Sequence, residues 1–136
     1  MSAYGPSIAL ESAKQAAAAA LNEARAHSWR MAVAIVDTAG LLVYFEKMDD
    51  TQSGSVAIAQ AKARSAALFK RPTKAFQDTL AAGGDGLRVL GLDGAVPVEG
   101  GVPLVIDGRI VGAIGVSGGT SAEDGVCAQA AVKAIG

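Results

Sequence analysis

The chain has 136 residues, twelve Lys or Arg against thirteen Asp or Glu for a net charge of -1, and 51% hydrophobic but only 4% aromatic residues. That length suits one domain, read as 1–136, with a core large enough to hold without staples, and the balanced charge, with no basic stripe interleaved with aromatics, excludes a nucleic-acid surface. A lone cysteine, Cys127, excludes an intramolecular disulfide or a cysteine-cluster metal site; no run reaches the ~18 apolar residues of a membrane span, and the N-terminal alanine run lacks a signal peptide's basic lead, so a cytoplasmic protein is expected.

Residues 7–26 predict a helix, with Ser7 as cap and an alanine run of high intrinsic propensity; Ile8, Leu21 and several alanines supply its buried stripe. "MAVAIVD" (31–37) and "LLVYFEKM" (41–48) read as two strands joined by the turn "DTAG", in which Asp37 bonds its own backbone. A second helix follows over 54–69, dense in small residues that permit close packing. Pro72 ends it, and Thr73 caps a shorter helix over 74–81. Residues 81–94 form a glycine-punctuated loop with one helical turn. A short edge strand is expected at 95–98, then strands at 102–106 and 109–116 joined by Asp107-Gly108, a strong hairpin signal. Thr120 and Glu123 form a capping box that opens a last helix to about residue 134. The order α-β-β-α-α-β-β-β-α, with its hairpin-linked strands, predicts an α+β sandwich on a largely antiparallel sheet.

Three stretches, "VAIVDTAGLLVYFEKMDD", "SVAIAQAKARSAALFKRPT" and "PVEGGVPLVIDGRIVGAIGVSGGTSAED", with the spacing between them, resemble the GlcG/HbpS-like family of small heme-binding and accessory domains, which includes the C-terminal domain of PduO-type proteins. The likeness runs from about residue 8 to 134. It implies a profilin-like fold around a five-stranded sheet, and assembly into homo-oligomers. It also implies a small-ligand or heme partner, although fold likeness alone does not carry chemistry.

Several residues could carry that chemistry. Gly118-Gly119 is either a tight turn or a turn whose following amides hold an anion, with Ser117 and Asp124 beside it; helix capping and the macrodipole account for Asp124 equally well. Gly100-Gly101 is either a bulge or a close approach to a ligand, with Glu99 as polar partner. Lys62 is either a solvated lysine or an amine in a partly buried cleft, charged if Asp37, Asp49 or Asp124 approaches. Asp49 is also a candidate helix cap. For heme, His27 is the candidate axial ligand; Met48, Tyr44 and Cys127 read as structural. Two functions follow: a heme-binding or heme-handling protein, or a cofactor-independent enzyme on a small organic acid. In the second, Lys62, Glu99 and Asp49 serve as acid, base or substrate-binding groups and the glycine amides polarise a carboxylate. A partner-binding accessory subunit without pocket chemistry is the remaining alternative.

Overall fold

The computed structural model describes residues 2–136. Its elements are α1 (Leu10–Ala26), β1 (Ala32–Val36), β2 (Leu42–Lys47), α2 (Ser55–Phe69), α3 (Thr73–Ala81), a 3-10 helix (Gly84–Gly91), β3 (Gly101–Ile106), β4 (Arg109–Ser117) and α4 (Ser121–Ile135). The four strands form one sheet in the order β2-β1-β4-β3, antiparallel throughout. The architecture is α+β, as expected. The five-strand expectation is corrected to four.

The missing strand is 95–98, which is irregular. With Pro97 inside it and Gly94 before it, its hydrogen bonds go elsewhere: the Val96 N–H donates to Ser65 Oγ at 3.0 Å. Past the end of β1, the N-terminal segment continues the pairing with β4. Gly5 N–H donates to Ile110 O, Ile110 N–H to Ala3 O, and Ile8 N–H to Val111 O. Because this strap is extended along β4, α1 starts only at Leu10, and Ala9 stands at its N-cap. Ser7 therefore does not cap the helix; its hydroxyl meets Thr38 Oγ1 at 3.1 Å.

Burial follows the sequence pattern. β1 is wholly buried, as a continuous apolar run must be when both faces of a central strand are covered. One face carries α1 and α4: Ala13, Ala16, Ala17, Ala20, Leu21 and Ala24 pack with Val33, Ile35, Ile114, Val116, Cys127 and Ala128. The other carries α2, whose Ala59, Ala63, Ala66 and Ala67 meet Ala32, Ala34, Val36 and Ala113. At Gly115 the helix lies so close that a Cβ would collide with Ala59 O. Asp37 Oδ1 accepts the N–H groups of Ala39 and Leu41, which closes the first hairpin. The capping box forms, with Thr120 Oγ1 accepting Glu123 N–H and Glu123 Oε1 accepting Thr120 N–H. The single helical turn expected within 81–94 is an eight-residue 3-10 helix, with Val89 its one buried residue.

Candidate functional site

Lys62 shares the buried stripe of α2 with Ala59, Ala63 and Ala66, so helical spacing carries its side chain inward. Its Nζ donates to Asp124 Oδ2 at 2.8 Å and to Val116 O at 3.0 Å. The side chains of the pair are 1% and 4% exposed. Burial raises the Asp124 carboxyl above its ordinary value; the Lys62 ammonium and the Gly119 N–H act against that, and Glu123 adds slightly to it. Of the approaches anticipated from the sequence, it is Asp124 that reaches Lys62.

Both glycine pairs meet this node. Gly100, at φ +133°, leaves the ammonium its space: a Cβ there would stand 2.8 Å from Lys62 Nζ and 2.6 Å from Val116 O. At Gly101 a Cβ would collide with Lys62 O. The Gly101 N–H donates to Thr73 Oγ1 at 2.9 Å, so the Thr73 hydroxyl holds this pair instead of capping α3, whose N-cap is Pro72. On the other side, Gly119 N–H donates to Asp124 Oδ1 at 3.0 Å, and Thr120 N–H is taken by Glu123. Gly118 lies against Arg30 O, where a side chain would collide. Internal acceptors thus engage the Gly119 and Thr120 amides that an anion would otherwise use. Ser117 is buried as well, and its hydroxyl donates to Ser55 Oγ at 3.0 Å.

Outside this sealed node lies a groove. One hollow of about 370 Å³ is lined by Glu23, Val126, Ala130 and Lys133; a second, of about 290 Å³, by Pro72, Lys74, Ala75, Gly100, Gly101 and Val102. Glu99, Gly125 and Gln129 line both. The sequence reading singled out Glu99, Gly100 and Gly101 but missed Gly125, Gln129 and the two flanking lysines. The one available signal was Gly125, a glycine in the interior of a well-capped helix, where it costs about 1 kcal/mol relative to alanine. A larger hollow of about 540 Å³, between Pro6–Ser12 and Ile106–Val111, contains none of the residues expected at a site.

Asp49 and His27 stand apart from the node. Asp49 is exposed, in a polar hollow with Arg25, Arg30, Glu46, Lys47 and Met48. His27 follows the last turn of α1, 46% exposed; its Nε2 meets Glu23 Oε1 at 3.2 Å and its ring stacks on Trp29 at 4.2 Å between centroids. Since Glu23 lines the groove, His27 lies one hydrogen bond from it. The other heme-ligating residue types are engaged. Burial, helped by the charges of Glu23, Asp124 and Glu123, pushes the Cys127 thiol up to about 12. Met48 Sδ accepts the Met31 N–H. Tyr44 donates to Glu46 at 2.7 Å, and that bond raises its phenol. Among the described residues no group of three or more metal-binding side chains gathers, and no helix is long and apolar enough to cross a membrane.

A family model described as "Haem degrading protein HbpS-like" matches residues 8–133. The chain belongs to the HbpS-like family. It is 39% identical over 100 residues to Protein GlcG of Escherichia coli (strain K12), covering 74% of this chain and 73% of that one. Among solved structures it is similar to PduOC in complex with heme, at 29% identity and a TM-score of 0.84 over 95% of each chain. It is also similar to a double mutant of Streptomyces reticuli HbpS, at 28% identity and a TM-score of 0.87, covering 97% of this chain and 89% of that one. These family relationships support a heme-related function.

Proposed function

We propose that this protein binds heme, or a closely related tetrapyrrole, along the groove between α1, α4 and the Glu99–Gly101 segment. The observation that carries this reading is the position of His27, whose partner Glu23 forms one end of the groove. The residues present fit such a group. His27 is exposed and can offer a ring nitrogen, Lys133 flanks the groove as a cation for a carboxylate side arm, and Val126 with Ala130 supply apolar surface. Bound heme would supply an iron centre open to axial ligation and electron transfer. The family match and the heme complex of PduOC support the reading. The hollows are shallow for so large a guest, and a neighbouring copy of the chain in a homo-oligomer would complete them; light scattering of the purified protein tests that part.

Titration with hemin is expected to give a saturable Soret shift. His27→Ala should weaken binding about tenfold or change the band position, and Lys133→Glu should weaken it with the band unchanged. A spectrum identical to free hemin at every ratio overturns the reading.

A second reading, cofactor-independent turnover of a small organic acid, draws on Glu99 as the acid that faces the smaller hollow beside Lys74. Lys62 would serve it only as a fixed charge behind Gly100, with Asp124 as its partner, because it has no open path to substrate. Asp49 lies in another hollow and has no part in it. Screening hydroxy and unsaturated acids, with Glu99→Gln as control, separates this from heme binding: turnover without hemin that Glu99→Gln removes would favour the enzyme.

A further inference from the structure

The groove's two hollows share Glu99, Gly125 and Gln129, and the packing of two of these residues accounts for the division. A Cβ built on Gly125 would collide with Glu99 Oε2 and lie 2.8 Å from its Cδ and 2.9 Å from its Cγ. The Glu99 side chain therefore rests on bare helix backbone, in space that any other residue at 125 would fill. A helix normally avoids an interior glycine; here the glycine seats a carboxylate. The main chain under that carboxylate is fixed, by the Glu99 N–H on Gln77 Oε1 at 2.8 Å and by the buried Gly100-Gly101 pair. Among the described residues the carboxylate itself has no hydrogen-bond or ion-pair partner, and Lys74, which feels its charge, is bonded to Asp78. A side chain held by packing alone can swing about its χ angles with little loss.

We propose that Glu99 is a movable partition that sets the length of ligand the groove accepts. In place, it leaves two hollows of about 370 and 290 Å³, each of a size for a small guest. Displaced toward solvent, it joins them into a single cleft long enough for an extended, flat guest. This deepens the reading of the groove as the ligand site, and it names the residue that discriminates between short and long occupants.

The test uses a matched pair of dyes, anilinonaphthalene sulfonate and its covalent dimer, titrated by fluorescence into the full-length protein. The monomer fits one hollow and the dimer needs both. Glu99→Ala removes the partition, Gly125→Ala evicts it, and Glu99→Gln keeps its bulk. The first two variants should raise the affinity for the dimer relative to the monomer about tenfold, while Glu99→Gln stays within about twofold of the parent. An unchanged ratio in both Glu99→Ala and Gly125→Ala, or no uptake of either dye by Glu99→Ala, overturns the partition. Protoporphyrin titrated into the same proteins keeps the two ideas apart: if no variant binds it, the tetrapyrrole reading falls, while the dye ratio still decides the partition.

Discussion

Lys62 and Asp124 join α2 to the start of α4 through one buried contact, and each relies on the other for compensation. Removing one partner leaves an uncompensated charge away from water, at a cost of about 3–5 kcal/mol. Lys62→Met alone and Asp124→Leu alone should each lower the unfolding free energy from urea titration by that amount, and the double variant should regain most of it. The pair also has a pH signature. The folded Asp124 carboxyl is raised above its ordinary value, so the stability tied to its protonated form is full below about 3.8 and is lost as pH climbs through the raised value. Wild type minus Asp124→Asn should fall over that window. Cys127 carries the same sign at the alkaline end: its thiol stays protonated in the fold up to about 12, while the unfolded thiol ionises near 8.5. Stability should drop as pH rises between those values, and iodoacetamide at pH 8 should label Cys127 only after denaturation. Lys62 was legible as a lysine among small apolar neighbours. Its partner was one of three named aspartates, because loop geometry decides which carboxylate arrives.

At the scale of elements, small residues set the distances. α2 seats on β4 where Gly115 has no side chain, so Gly115→Ala should force helix and strand apart and cost at least about 1–3 kcal/mol, seen as a lower melting temperature. Thr120→Ala removes one half of the capping box and should cost about 1 kcal/mol. Both hairpins and this box were legible because turn and cap chemistry is local: Asp37, Asp107-Gly108 and Thr120 act on residues within a few positions. The strand expected at 95–98 failed for the opposite reason. Its apolar residues looked suitable, but Pro97 has no N–H for a ladder and the Val96 N–H is drawn to Ser65 Oγ on α2, 31 positions away in the sequence. The same limit hid Gly125, whose meaning depends on a glutamate 26 positions earlier.

Across the whole molecule, the sequence singled out segments that do converge, though on two nested features instead of one open cavity. Lys62, Asp124 and both glycine doublets form a closed structural node, while Glu99 and the outer faces of Gly100 and Gly101 border the accessible groove. Residue type alone could not distinguish a buried lysine that holds a fold from one that meets a ligand; depth decides it. The Gly100 end of the groove and the N-terminal strap sit toward opposite ends of β4: Gly100 O accepts from Val116 N–H, while Gly5 and Ala3 pair with Ile110. Six residues of extended chain amount to roughly 20 Å. A fluorophore or solid support tethered ahead of Tyr4 would consequently stand well away from the Gly100 end of the cleft, leaving that mouth unobstructed for direct screening of guests of graded length.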